Sequence, residues 1–189
     1  IDMMPSKLIE NKHFATLRYD RQNGEKQHAL TVTGLTGWNF KSQSENSSYE
    51  NVFKVALSLG VPHKDIQQLF RRMVFNLIFQ NIDDHLKNHS FIYDKSADSW
   101  SLGPAYDITY ALNPLVTFKA TSRALSINEK RIEITMIDVF TVAEEFAIKN
   151  PKGIVEDVQK LIPRWLGIAT ELDMPQNIIK RINKDLIML

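Results

Sequence analysis

A short polar stretch of this 189-residue chain, from Asn81 to Asn88, holds side chains suited to catalysis. Asp83 and Asn88 stand five positions apart in it. A carboxylate can accept the proton of an attacking hydroxyl, and an amide oxygen of the same loop can bind Mg²⁺ between phosphates. Lys87 can offset charge on a transferred phosphoryl group, and His85 can contact a nucleotide or brace the loop. This spacing predicts phosphoryl transfer.

A second carboxylate, Asp107, is expected to complete the metal site. Ser90–Tyr93 and Ser99–Leu102 have the composition of two short strands, and residues 94–98 between them favour a turn. Such a hairpin would return the chain to the edge of the polar loop and bring Asp107 there. We therefore predict Asn88 and Asp107 as metal ligands, because oxygen ligands suit Mg²⁺.

Apolar residues at helical spacing surround the loop on both sides. One helix is predicted from a serine cap at position 48 to a glycine stop at position 60. A second, buried helix starts at Pro62 and ends where the polar loop begins. Three more helices are predicted over residues 134–148, 154–169 and 174–186.

Two β-rich segments precede these helices. Residues 14–21 and 28–33 are rich in β-branched and aromatic types, and Asn23-Gly24 between them favours a reverse turn. The simplest interpretation is a hairpin formed by the two segments. Together with the helices, it predicts an α+β fold.

The composition excludes several classes of protein. The 43% of hydrophobic residues suffice for one core, and the absence of cysteine excludes disulfides, thiolate metal sites and cysteine nucleophiles. Lys and Arg number 23 against 22 for Asp and Glu, so we expect neither direct nucleic-acid binding nor attraction to an anionic membrane. We expect a cytoplasmic location.

Four segments together resemble one known family. They are residues 14–21, 71–76, 81–91 and 100–107, the last ending in Pro-Ala-Tyr-Asp. In their order and amino-acid sequence they closely resemble the carboxy-terminal domain of the HipA toxin kinases. This resemblance implies the mainly helical carboxy-terminal lobe of a protein-kinase-like fold, with a short catalytic hairpin. It also implies a bacterial toxin–antitoxin serine/threonine protein kinase that uses ATP and Mg²⁺.

The resemblance also implies site residues and partners. Asp83 would accept the proton, and Asn88 and Asp107 would hold the metal. Nucleotide contacts are implied for His85, Tyr106 and the hinge residues Leu17, Arg18 and Tyr19. The implied partners are a protein substrate, which in known members is an aminoacyl-tRNA synthetase, and a helix-turn-helix antitoxin.

The chain departs from the family before the hinge. No glycine-containing phosphate loop or ATP-binding lysine precedes Leu17, a position that is commonly polar in relatives. With Ile1 as first residue, the chain is interpreted as a fragment. Residues 1–35 would form the hinge and residual strands of a largely absent amino-terminal lobe, and 36–189 the helical lobe. The amino-terminal lobe could have been removed, or another chain could supply it. Alternatively, its absence could leave this part inactive.

Other interpretations remain open at this point. Asp83 and Asp84 could simply cap a helix end. A metal-dependent hydrolase could use Asp83, Asp84, His85, His89 and Asp107. The chain could instead be a non-catalytic module that binds an antitoxin or target. Arg123 and residues 126–131 lie where substrate or partner contacts could fall.

Overall fold

In the described part of the chain, the strands form three small antiparallel sheets. A computed structural model describes residues 2–5, 12–22, 24–112 and 122–189. The strands are β1 (Asp2–Pro5), β2 (Lys12–Ala15), β3 (Arg21–Gln22), β4 (Glu25–Lys26), β5 (His28–Thr31), β6 (Ser90–Asp94) and β7 (Ser99–Leu102). β1 pairs with β2, β3 pairs with β4, and β5, β6 and β7 form a three-stranded sheet in that order. The predicted β6–β7 hairpin is confirmed.

Helices form the larger part of the regular secondary structure, and the mixed helix-and-sheet class is confirmed. They are α1 (Val32–Thr36), α2 (Tyr49–Ser58), α3 (His63–Ile78), α4 (Met136–Glu145), α5 (Pro151–Gln159), α6 (Leu161–Glu171) and α7 (Gln176–Asp185). The Ser48 hydroxyl caps α2 by accepting a hydrogen bond from the Asn51 amide, and Gly60 follows with a φ of 69°. Within the described ranges, none of the helices has the length and apolar character needed to cross a membrane.

Helix α3 runs through the main hydrophobic core. Its buried side chains include Phe70, Met73 and Leu77, which belong to one cluster with residues of α2, α4 and α5. Leu86 and Phe91 join the same cluster from either side of the end of the polar loop. The loop is therefore held between a buried helix and a strand whose first residues are also buried.

The predicted hairpin between residues 14–21 and 28–33 is wrong in its pairing. A turn does occur near Gly24, which has a φ of 83°, but it joins only β3 and β4. β5 pairs with β6, so that Leu30 lies opposite Phe91. Pairing across about 60 residues buries Phe91, which the local turn cannot do. The division at residue 35 stays a prediction.

The predicted helix over residues 154–169 is two helices. α5 ends at Gln159 and α6 begins at Leu161, with Lys160 between them. Pro163 lies in the first turn of α6, where it has no N–H to donate and its ring would clash with the carbonyl group four residues earlier. The helical spacing continues across this break, so spacing alone did not predict it. The other two predicted helices correspond to α4 and α7.

We predict opposite effects on stability for two glycine substitutions. A Cβ at Gly103, where β7 ends, would lie 2.5 Å from Ser90 Oγ and 3.0 Å from the Ser90 carbonyl oxygen. Gly103→Ala should therefore lower the free energy of unfolding by about 2 kcal/mol. Gly167→Ala on the exposed face of α6 meets nothing within 4 Å and should raise it by about 0.5 kcal/mol. Chemical denaturation measures both, and an equal effect of the two changes would contradict this account.

Candidate active site

The polar loop after α3 contains one short 3-10 turn, Leu86–Asn88. The Asn88 amide N–H donates to the His85 carbonyl at 2.8 Å, and Asn88 Nδ2 donates to the Asp83 carbonyl at 2.9 Å. The Asp83 and Lys87 side chains are exposed, and Asn88 is buried. The five-residue spacing thus closes a tight loop through the Asn88 side chain.

The side chain of Asp84 is fully buried. Its Oδ2 accepts hydrogen bonds from the Tyr49 hydroxyl at 2.7 Å and from Arg123 Nη2 at 2.8 Å. Burial lowers the pKa of Arg123, but the charge of Asp84 more than offsets this, and the pKa is raised. Burial and the Asp84 charge also raise the pKa of Tyr49, so the hydroxyl keeps its proton. Asp84 is therefore part of an internal network, while its neighbour Asp83 faces solvent.

The same network extends to the backbone of the loop. Arg123 Nη2 also donates to the Asn81 carbonyl at 3.3 Å, and the Ala124 amide donates to the Ile82 carbonyl at 2.8 Å. Asn76 of α3 donates to the Tyr49 hydroxyl at 2.9 Å. The segment around Arg123 is far from the loop in sequence, yet it fixes where the loop leaves α3.

The Phe40 ring contacts the side chains of two loop residues, Lys87 and His85. The Lys87 ammonium lies 4.6 Å from the centre of the Phe40 ring, a cation–π geometry. The His85 ring meets the same ring edge to face, with 5.0 Å between centroids. Phe40 therefore restricts where both side chains can point.

The segment bearing Asp107 is joined to the loop at two points. The Tyr106 hydroxyl donates to the Lys87 carbonyl, and Asn81 Nδ2 donates to the Asp107 carbonyl at 3.3 Å. Burial and the neighbouring Tyr19 raise the pKa of Tyr106 to about 12, so its hydroxyl remains a donor at neutral pH. Asp107 has a φ of 54°, a left-handed conformation that Asp tolerates better than most residues.

A cleft of about 880 Å³ lies beside this segment. Tyr106 and Asp107 line it on one side, and Leu17, Arg18 and Tyr19 line it on the other. The rings of Tyr19 and Tyr106 stack with 5.7 Å between centroids. Its volume falls in the usual range for small-molecule sites.

Arg18 has a charged partner in this cleft. Its Nε donates to a carboxylate oxygen of Asp20 at 2.8 Å, and Asp20 also lines the cleft. Leu17 is 94% exposed. The structure thus brings Leu17, Arg18, Tyr19, Tyr106 and Asp107 to one cleft; their roles stay predictions.

Three oxygen-bearing groups around the loop have no hydrogen-bond partner among the described residues. They are the carboxylates of Asp83 and Asp107 and Oδ1 of Asn88, whose Nδ2 is already engaged. Carboxylate and amide oxygens are ligands that Mg²⁺ accepts, usually together with water and phosphate oxygens. This donor set therefore fits Mg²⁺.

Two residues of the possible hydrolase site have other roles. Asp84 is engaged by Tyr49 and Arg123, and His89 is buried against Tyr49. Across the described part of the chain, no three His, Asp or Glu side chains form a group able to hold a metal ion. Asp84 and His89 are thus engaged in the interior, and the hydrolase stays an untested alternative.

Arg123, which was expected to contact a substrate or partner, is instead engaged inside the protein, and the same expectation for residues 126–131 stays a prediction. Arg123 is only 3% exposed and binds Asp84. The Arg131 guanidinium donates to the Ala124 carbonyl and, at 2.9 Å, to the Ser47 carbonyl. Both guanidinium groups therefore form hydrogen bonds within the protein. The contact of Phe40 with the loop was not predicted from the sequence, because no motif surrounds this residue.

The chain belongs to the family described as the HipA-like C-terminal domain. The family model matches residues 1–166, which is most of the chain and includes the loop, the hairpin and Asp107. The resemblance found in the sequence is therefore confirmed.

Similar proteins agree with this family. The chain is 29% identical over 122 residues to a Haemophilus influenzae protein named "Putative kinase", covering 60% of this chain and 35% of that protein. It is 22% identical over 160 residues to "Putative kinase Y4dM" of Sinorhizobium fredii, covering 85% and 38%. It therefore spans about a third of the length of these curated relatives.

A solved structure has the same fold. It is a chain of the Shewanella oneidensis toxin–antitoxin complex of HipA, HipB and operator DNA, matched with a TM-score of 0.68 and 18% identity. The match covers 89% of this chain and 45% of that chain. The mixed fold with its small antiparallel sheet is thus similar to HipA.

We predict that His89 makes the fold sensitive to mild acid. Its Nε2 donates to the Asp84 carbonyl at 3.3 Å, and burial, together with the charge of Arg72, lowers its pKa to about 3. In the unfolded chain the pKa returns to about 6.5, so below that pH only the unfolded state takes up the proton. The free energy of unfolding should therefore fall as the pH drops below 6.5.

The size of this effect can be measured with one variant. Between pH 7 and pH 5 the His89 contribution should be a loss of about 2 kcal/mol, and His89→Gln should lack it. Denaturant unfolding of both proteins at both pH values measures the difference. Equal losses in the two proteins would show that His89 is not the group responsible.

Proposed function

We propose that this chain is the catalytic lobe of a HipA-type serine/threonine protein kinase. In the proposed reaction the γ-phosphoryl group of ATP is transferred to a protein hydroxyl. Family membership and the kinase names of the relatives support this at the level of the family. The finer assignment depends on the geometry around the loop.

One observation carries the proposal. The segment with Asp107 is hydrogen-bonded to the loop with Asp83 and Asn88, through the Tyr106 hydroxyl and the Asn81 amide. Asp83 and Asp107, 24 positions apart along the chain, thus lie on two segments that are hydrogen-bonded to each other, and of the two residues Asp107 lines the cleft. Phosphoryl transfer depends on such an arrangement, because catalysis comes mainly from positioning and charge.

Each candidate residue of the loop and of the segment with Asp107 has a proposed role. Asp83, exposed and without a partner among the described residues, accepts the hydroxyl proton. Asn88 and Asp107 would hold Mg²⁺, which would shield the charge of the ATP phosphates, while ATP supplies the phosphoryl group. Lys87 contributes positive charge near the phosphoryl group, and the Phe40 ring limits its movement.

The cleft is the proposed nucleotide site. Leu17, Arg18 and Tyr19 face the adenine, and Tyr106 continues the stacked surface that Tyr19 begins. His85 lies on the loop side, against Phe40.

Protein partners are proposed from the relatives. The solved Shewanella complex contains HipA, HipB and operator DNA. We extend this to a helix-turn-helix antitoxin for the present chain, which would then reach DNA through that partner. A protein substrate is proposed from the family resemblance alone. Known members of the family act on aminoacyl-tRNA synthetases.

Phosphoryl transfer is the test of the proposed function. The natural protein that contains this chain, at its full natural length, is incubated with radiolabelled ATP and Mg²⁺. Asp83→Asn should reduce transfer at least about 100-fold while nucleotide binding persists, because only the proton acceptor is lost. Asp107→Ala should instead weaken Mg²⁺-dependent nucleotide binding, because a metal ligand is lost.

Asp173→Asn is the matched control for charge. Asp173 is exposed in a turn far along the chain from the loop, and Asn tolerates its φ of 53°. It should transfer phosphate as the unchanged protein does. Full activity in Asp83→Asn would contradict the assignment of Asp83 as the proton acceptor. Nucleotide binding that does not depend on Mg²⁺ would contradict the assignment of Asp107 as a metal ligand.

A further inference from the structure

A second cavity lies on the inner side of the polar loop, separate from the nucleotide cleft. Its volume is about 280 Å³, and its lining includes Gln80 at the end of α3, Ile82 of the loop and Arg123. Residues 131–134 and Ile187 close it from the other side. None of its lining residues belongs to the cleft beside Tyr106.

Two buried donors on this cavity are unsatisfied. Gln80 and Arg123 are each only 3% exposed, and both line the cavity. Among the described residues, neither Gln80 Nε2 nor Arg123 Nε has a hydrogen-bond partner. Buried donors are nearly always paired, so two of them on one cavity indicate an acceptor that binds there.

Arg123 is already paired with the buried Asp84, so the positive charge that favours an anionic acceptor at the cavity is that of Arg131. Arg131 also lines the cavity, and its guanidinium is bonded only to carbonyl groups; within the described residues no carboxylate lies within salt-bridge distance of it. Burial lowers the pKa of Arg131, which shows that its charge is partly desolvated. Glu133, exposed at the rim, is the acidic side chain of the lining.

The rest of the lining is apolar. Leu77, Ile82, Leu112, Ile132 and Ile134 contribute aliphatic surface. A ligand must therefore combine one acceptor end with a compact aliphatic body, because an inorganic anion would leave this surface in contact with water.

We propose that this cavity binds a small aliphatic carboxylate, with its carboxylate on Gln80 Nε2 and Arg123 Nε and its alkyl body against the isoleucines. The proposal does not depend on the kinase assignment. Because Arg123 also holds Asp84 and the Asn81 carbonyl, an occupied cavity would add to the contacts that fix the loop.

Binding of 4-methylpentanoate to the purified chain tests this proposal. Calorimetric or NMR titration should give saturable binding with a dissociation constant on the order of 1 mM, as expected for eight non-hydrogen atoms. The neutral amide of the same shape should bind about fivefold or more weakly, and acetate should not bind, because it lacks the alkyl body. Absence of saturable binding, or equal binding of the amide, would overturn the proposal.

Variants locate the site. Gln80→Met keeps the length of the side chain but removes the amide, and should weaken binding about tenfold. Ile132→Trp should block the opening of the cavity and abolish binding; Ile132 is 46% exposed, so the protein should still fold with the larger ring there. Ile137→Trp, on the 75% exposed position of α4 outside the cavity, is the matched control and should bind normally.

The charge of the ligand is tested at the rim. Glu133→Gln should strengthen binding of the carboxylate about two- to threefold and leave binding of the amide unchanged, because only a like charge is removed. Unchanged carboxylate affinity in Glu133→Gln, or persistent binding in Ile132→Trp, would place the ligand elsewhere and overturn the assignment.

Discussion

The buried ion pair between Asp84 and Arg123 is the interaction on which the candidate site depends. Two charges with side chains at most 3% exposed must compensate each other, and losing one partner of such a pair typically costs about 3–5 kcal/mol. Tyr49 and Asn76 complete the hydrogen bonding of the pair. Since adjacent residues of the extended loop point in different directions, holding Asp84 inside leaves Asp83 exposed to solvent.

Local features of the sequence predicted the elements that local physics determines. The serine cap of α2, the buried face of α3 and the β6–β7 hairpin need only neighbouring residues to form. The pairing of β5 with β6 was not predictable in this way, because a turn signal at Gly24 says nothing about distant partners. The break before α6 comes from one proline that helical periodicity does not register.

The same distinction applies to the site. Asp83, Asn88 and Asp107 were found from type, spacing and resemblance, and their segments do meet. The contacts of Arg123 and Phe40 with the loop were not predicted, because each residue is far from the loop along the chain and no short motif surrounds it. Gln80, next to the loop, gained significance only when a cavity was found beside it. Side chains that position a site thus require the fold, whereas those that face it could be proposed beforehand.

A double-mutant cycle measures whether the Asp84–Arg123 pair ties the loop to the core. The free energies of unfolding of Asp84→Asn, Arg123→Met and the double variant are compared with that of the unchanged chain. The account predicts a coupling energy of at least about 1.5 kcal/mol, with the double variant much less unstable than the sum of the single changes. Additive effects, with coupling below about 0.5 kcal/mol, would contradict it.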